Sequence, residues 1–536
     1  MNKPLKKVIR IEDAKTICTN PANGEVIAEY PINTVGDLRR AIDKARQAQK
    51  EWAKVPVRRR AKMIMKVRGY IVEHMDELAE CICRDNGKTR VDAITTDVLT
   101  TTMATTYYCK NAAKFMKDRS LPLGNILFFF KWSKIVRIPW GVVGIISPWN
   151  YPFSIPYSEV IMALLAGNAV ILKAATETQA VGHKLKECIE SAGLPEGVFT
   201  YINMPGSIAG DAFLEGGVDK LFFTGSTAIG KYLMKKASET LTPLSLELGG
   251  NDPMIVCEDA DLHRAAMGAI WAGMQNAGQS CGGVERVYVH RDVYDEFLRL
   301  LKQGVESLVV GEDINFDTDI GPLTTKRQVE TVRAHVRDAL DRGATLFATS
   351  GAPEVGKGNF HPCVVLTDVD HDMITMKDET FGPVVAVMKV DSIEEAIDLA
   401  NDSYLGLTGS VWSKNRRKAM KIAREIQSGA ITINDHLMSH GLAETPWGGF
   451  KQSSIGRSHG DIGFAEMTQP MVIVNDVMPF ARKQFWWHPH SHAVYAGIRG
   501  VVYLLYGKNL LYRVKGLYGL GRAFFRTFMS DLKKQD

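Results

Sequence analysis

Gly141-Val-Val-Gly-Ile-Ile-Ser147-Pro148 is a short apolar run halted by a serine and a proline, and the chain repeats the pattern twice before residue 226. Ala169-Val-Ile-Leu172 ends at Lys173, and Leu221-Phe-Phe-Thr224 ends at Gly225. Apolar runs without polar alternation read as strands buried on both faces, as in a parallel sheet. Helical segments lie between them, such as the one around His183–Ala192. Strands alternating with helices imply a doubly wound sheet, on which ligands bind at the carboxyl ends of strands. Each run is followed at once by polar or glycine residues, where a cofactor would sit.

Outward from this stretch, residues 36–85 read as packing helices, because Ala41, Ala45, Ala48, Trp52, Met63, Val67 and Ile71 recur at helical spacing between charges. A second α/β pattern runs from about Gly250 to Phe450. Thr325–Arg342 reads as a helix, and Val384-Val-Ala-Val-Met388 and Ala430-Ile-Thr-Ile-Asn434 as strands. A chain of 536 residues exceeds one compact core, so two or more domains are expected. The apolar share of 45% and charged share of 23% fit a globular enzyme. A net charge of +5 at this length argues against a nucleic-acid binder. The eight cysteines are scattered, with one lone CxC at Cys81 and Cys83, so no metal site is expected and a reducing, cytoplasmic compartment fits. The N-terminus lacks the apolar core of a signal peptide.

Two motifs carry the chemistry. Cys281 sits in Asn276-Ala-Gly-Gln-Ser-Cys-Gly-Gly283, and Glu247 in Leu246-Glu-Leu-Gly-Gly-Asn251, 34 residues earlier. A thiolate is a strong nucleophile toward carbonyls, and a carboxylate takes protons from a thiol or from water. A free thiol titrates near ~8.5, so Cys281 needs local activation. The glycines around it permit close backbone approach. After Thr224, Gly225-Ser-Thr-Ala-Ile-Gly230 offers a tight turn into a helix whose first amides attract phosphate, although GxGxxG is not matched.

In these motifs the chain resembles the aldehyde dehydrogenase superfamily from about Cys18 to about Val474. The resemblance implies an α/β fold with two doubly wound, Rossmann-like domains, a small β oligomerisation domain and a C-terminal helical extension. Residues 1–121 and 140–248 would bind NAD(P), and 249–452 would form the catalytic domain. Residues 122–139 and 453–478 would oligomerise, and 479–536 form the extension. Cys281 would be the nucleophile and Glu247 the base. Asn150, in Ser147-Pro-Trp-Asn-Tyr-Pro152, would complete an oxyanion hole with the Cys281 amide, each donor worth ~3–4 kcal/mol. The implied activity is oxidation of an aldehyde to an acid through a cysteine thiohemiacetal and thioester. A catalytically silent structural or membrane-associated relative is the alternative, which loss of Cys281 or Glu247 would mark; both are present.

For the cofactor, the resemblance implies Ser147, Trp149, Lys173, Thr176, Gly225, Ser226, Gly230, Leu248, Glu379 and Phe381. Lys173 would hold the adenosine ribose, Gly225-Ser226 the pyrophosphate, and Glu379 and Phe381 the nicotinamide end. Where the family often carries a glutamate this chain has Thr176, which would not repel a 2′-phosphate. NAD is expected first and NADP is admitted, with Glu177 as an alternative carboxylate. Tyr151, Ile155, Ser158 and Trp447 would line the substrate tunnel, Ser158 leaving it wider. No arginine stands out for a second carboxylate, so a medium or long apolar aldehyde is expected.

Phe128-Phe-Phe-Lys-Trp132 through Ile138, and Pro470-Met-Val-Ile-Val474, resemble oligomerisation strands, so a homodimer or homotetramer is expected. Beyond Val477, Lys508, Lys515, Arg522, Arg526 and Lys533 fall on one helical stripe. Leu510, Leu511, Val514, Leu517, Phe525, Phe528 and Met529 fall on another. A basic amphipathic pattern suits a membrane surface; packing on the enzyme itself is the alternative. Glycines 507, 516, 519 and 521 weaken the helix.

Overall fold

The computed structural model describes residues 14–354, 356, 358–478, 481–484 and 486–526, without the side chains of 522–526. Arg522, Phe525 and Arg526 therefore lie in a helix whose side chains are not described there, and Phe528, Met529 and Lys533 lie outside the described residues. The chain divides into two compact units. The first comprises the chain up to Lys117 with Arg137–Gln469; the second comprises Asp118–Val136 and the chain from Pro470.

The first unit holds two large sheets. In one, β1 (Val142–Ile146), β2 (Ala169–Lys173), β3 (Phe199–Tyr201), β4 (Lys220–Thr224) and β5 (Leu244–Glu247) run parallel in the order β5-β4-β1-β2-β3. Val143 and Ile145 enter the core on one face of β1, and Val142 and Ile146 enter the core on the other. Burial on both faces is why the run is apolar without alternation. The strand order reverses between β1 and β4, and the crevice at such a switch point is where doubly wound sheets take ligands.

The second sheet contains β6 (Asp252–Val256), β7 (Val284–His290), β8 (Thr345–Thr349), β9 (Val364–Thr367), β10 (Val384–Val390), β11 (Thr408–Trp412) and β12 (Ala430–Ile433), in the order β8-β9-β10-β7-β6-β11-β12. Only β8 is antiparallel to its neighbour. A late return, β13 (Ser454–Ile455), joins the first sheet beside β5, with Ser454 opposite Glu247.

Strands Arg119–Ser120, Lys131–Pro139 and Thr468–Asp476 form a small sheet, most of which belongs to the second unit. The strand expected from Phe128 begins only at Lys131. Residues 126–128 form a 3-10 turn instead, because the Asn125 side chain accepts from Leu127 N at 2.9 Å and starts it. The described part of the second unit also contains two helices, His492–Tyr506 and Leu510–Arg526.

Candidate active site

Glu247 ends β5, and its carbonyl accepts from Gly225 N at 3.0 Å. That bond ties the acid's strand to the glycine turn after β4. Gly225-Ser226 opens helix α2 (Thr227–Ala237), and the Ser226 hydroxyl at its N-cap makes no capping bond. The first-turn amides and this hydroxyl remain available to an anion. Leu248 packs where a side chain at Gly230 would stand, since a Cβ there would lie 2.6 Å from Leu248 Cδ2. Lys173, at the end of β2, is buried, and burial lowers its ammonium to about 8 while Glu177 pulls it upward. Thr176 starts a short 3-10 turn directly after it. Ser147 and Asn150 follow β1, on the opposite side of the switch point from Gly225. The Ser147 hydroxyl and Asn150 Oδ1 are buried without a partner.

The cysteine loop enters from the second sheet. Asn276, Ala277 and Gly278 are consecutive left-handed residues, with φ of 55°, 53° and 70°. Such strained backbone persists only where surroundings hold it. Here the Asn276 amide donates to Asp92 Oδ2 at 3.1 Å, and its carboxamide donates to the Asn150 carbonyl at 2.8 Å. A Cβ on Gly278 would lie 2.0 Å from the Gly382 carbonyl. The loop thus places Cys281 just before β7.

The two motifs touch through backbone. A Cβ on Gly250 would lie 2.3 Å from the Cys281 carbonyl oxygen. Gly250 N in turn donates to Glu379 Oε1 at 3.1 Å. Desolvation pushes the Cys281 thiol up, and the carboxylates of Glu379, Asp252 and Glu247 push the same way. Desolvation also raises Glu247 well above the carboxylate range, with Glu159 adding to it. Both Glu247 oxygens are buried without a partner. Glu379 is raised by the same cause, followed by Glu285. Glu285 holds the next two residues, accepting from Thr380 N at 2.8 Å and Phe381 N at 2.9 Å. The Phe381 ring meets Trp149 edge-on at 5.4 Å, which joins the Trp149-Asn150 turn to the Glu379 segment.

Cys281 opens onto a cavity of about 140 Å3, close to the volume that holds one benzene ring. Tyr151, Ile155 and Trp447 line it. Ser158 does not: helix α1 (Ser154–Ala166) is buried on every side, and only its first turn reaches the cavity. One wall escaped the sequence reading. Thr95, Thr96, Leu99, Thr100 and Met103 come from the π-helix Ala93–Leu99 and the helix after it. That wall is anchored by Asp97, which accepts from Ser154 N at 2.8 Å and from the fully buried Lys88 ammonium at 2.8 Å. A buried pair of this kind fixes geometry, because either charge alone would be strongly unfavourable. His440 also faces the cavity, and desolvation lowers it to about 4, so it is neutral at physiological pH.

The sequence profile described as the aldehyde dehydrogenase family matches residues 10–473. The chain is 35% identical over 490 residues to 4,4'-diapolycopene aldehyde oxidase of a Methylomonas species, covering 91% of each. It is 37% identical over 452 residues to a Mycobacterium ulcerans protein named "Putative succinate-semialdehyde dehydrogenase" of the NADP+ type, covering 84% of this chain and 86% of that one. Among solved structures, the NAD+ complex of an aldehyde dehydrogenase from Bacillus cereus superposes with a TM-score of 0.83 at 34% identity, covering 87% of this chain and 94% of that one.

Proposed function

The chain belongs to the aldehyde dehydrogenase family and oxidises an aldehyde to a carboxylic acid with NAD(P), and we propose that Cys281, Glu247 and Asn150 divide that reaction between them. The observation that carries this assignment is the seating of Gly250 on the Cys281 carbonyl, with an unpartnered buried Glu247 three residues before it. Cys281 gives its thiol proton to Glu247, and the thiolate adds to the carbonyl carbon. The oxyanion is held by the Asn150 carboxamide and the Cys281 backbone amide. A bound NAD(P)+ would supply the acceptor for the hydride of this carbon. Once Glu247 has passed the thiol proton to solvent, the thioester left on Cys281 is attacked by water, whose proton goes to Glu247; the acid departs and the thiolate is restored.

The nucleotide fits the residues present. Gly225, Ser226 and Gly230, backed by Leu248, suit the phosphates. Lys173 and Thr176 suit the adenosine ribose. Ser147, Trp149, Glu379 and Phe381 suit the nicotinamide end. Thr176 carries no charge against a 2′-phosphate, which supports NADP beside NAD. Among the described residues, the cavity wall contains no lysine or arginine, and His440 is neutral. A second carboxylate would find no cation there, so the substrate is an apolar aldehyde and not a semialdehyde.

Glu247→Gln tests the division of labour. It should slow the first release of NAD(P)H as well as the hydrolysis, and leave an acyl group on Cys281 after the first turnover, seen by mass spectrometry of the intact chain. Multiple turnovers at the wild-type rate would remove Glu247 as the base.

Thr468–Asp476 is an edge strand with Met471, Val472, Ile473 and Val474 exposed, which supports pairing with another copy in a dimer or tetramer. The scattered cysteines support a cytoplasmic compartment. Within it, work at a membrane surface is supported by residues 477–526, which hold eight lysines and arginines and no acid.

A further inference from the structure

Resting on the membrane-surface reading, we propose that the two C-terminal helices form a preassembled face that docks on an anionic bilayer. Over the described residues, helices α3 (His492–Tyr506) and α4 (Leu510–Arg526) have 15 and 17 residues, or about 22–26 Å of rise. That is short of the ~30 Å hydrocarbon core. Among the described residues, no helix is long and apolar enough to cross a membrane. The pair therefore suits the headgroup region, lying in its plane.

Glycines hold the pair together. A Cβ on Gly500 would stand 2.8 Å from the Gly516 carbonyl and 3.0 Å from Gly519 Cα. One on Gly519 would stand 2.8 Å from the Ala496 carbonyl. Backbone contacts backbone here, as in helix pairs built on small residues. Several large side chains remain exposed on the outer faces. On α3, Tyr495, Ile498, Val502 and Tyr506 form an exposed stripe at helical spacing. On α4, Leu510 is 77% exposed and Tyr518 75%, with Val514 and Leu517 on the same stripe. Tyrosines among leucines match the level where water meets lipid. An apolar cavity of about 280 Å3 lies against the pair, walled by Ile126, Phe129, Val501, Leu505 and Leu520, with room for the end of an acyl chain.

Charge selects the occupant. Arg499, Lys508, Arg513 and Lys515 are exposed around these stripes. No aspartate or glutamate occurs between residues 477 and 526. A second copy meeting this face would set like charges together with no acid to pair them. An anionic lipid surface complements them all.

Flotation of the full-length enzyme with phosphatidylcholine vesicles, with and without phosphatidylglycerol, tests the assignment. Two variants accompany it: Lys508→Glu with Arg513→Glu and Lys515→Glu, and Leu510→Ser with Leu517→Ser. The wild type should float with the phosphatidylglycerol vesicles and lose binding as salt rises. Each variant should bind at least about tenfold more weakly, with aldehyde oxidation in vesicle-free buffer unchanged. No flotation of the wild type would end both the membrane-surface reading and the docking face. Flotation of both variants like the wild type would overturn the docking face alone. Variants that float normally but lose oligomeric mass in light scattering would make it a contact between copies and overturn the proposal.

Discussion

Alanine at Gly250 turns the closeness of the two motifs into a measurable rate. The added methyl would stand 2.3 Å from the Cys281 carbonyl oxygen and 2.9 and 3.0 Å from the Asp252 carboxylate oxygens, where ordinary contact begins at 3.4 Å. About 1 Å of movement is required. Asp252 cannot supply it easily, because it is buried and accepts from both the Thr408 amide and hydroxyl at 2.9 Å. Gly250 itself is held by Glu379, so the cysteine loop must give way. Gly250 lies outside the left-handed region, so no backbone strain is added to the clash. A displacement of 1 Å at the reacting atom costs about 100-fold in kcat, or about 2.7 kcal/mol of barrier. Overpacking should lower stability by about 1–3 kcal/mol. Gly69→Ala is the control. It lies within the helix Val57–Glu73, and its Cβ would meet nothing within 4 Å. It should add about 0.5–1 kcal/mol of stability and leave kcat alone. The assay is kcat at saturating aldehyde and NAD(P)+, with thermal unfolding and the alkylation rate of Cys281 read by peptide mass spectrometry. A Gly250→Ala enzyme within about twofold of wild-type kcat, at unchanged unfolding temperature, would refute the reasoning.

Two further outcomes follow from the same geometry. Glu247 is raised by desolvation and then by Glu159, itself a buried acid raised to about 8. Since Glu247 is a base only above its raised pKa, the acidic limb of kcat/KM should rise well above the ordinary carboxylate range. Glu159→Gln should shift that limb to lower pH; an unmoved or upward-shifted limb would show that Glu159 does not act on it. Leu99→Trp should fill the cavity beside Cys281, cutting kcat/KM for long aldehydes by about tenfold or more while sparing acetaldehyde. Equal losses for both aldehydes would place the substrate elsewhere.

Much of the site was legible because its parts are contiguous in sequence. The runs ending at Ile146, Leu172 and Thr224 announced buried strands, since burial on both faces demands unbroken apolar residues. The polar and glycine residues after them marked the carboxyl edge, and Cys281 and Glu247 stood out as a nucleophile and an acid by residue type. The wall from Thr95 to Met103 stayed hidden because its threonines look polar in sequence. In the fold, Thr95, Thr96 and Thr100 donate their hydroxyls to the carbonyls of Val91, Asp92 and Thr96 in their own helix at 2.6–2.8 Å. Polarity satisfied within the helix lets such a face border an apolar cavity. The glycines at 516 and 519 weaken a helix when counted by propensity, yet they are where α4 meets α3. Local residue types determined the strands and the reactive groups, because these depend on neighbours along the chain. Tertiary structure alone decided the reversal of strand order between β1 and β4, the seat of Gly250 on Cys281 and the exposure of several large C-terminal side chains, because each depends on which distant backbones come within van der Waals reach.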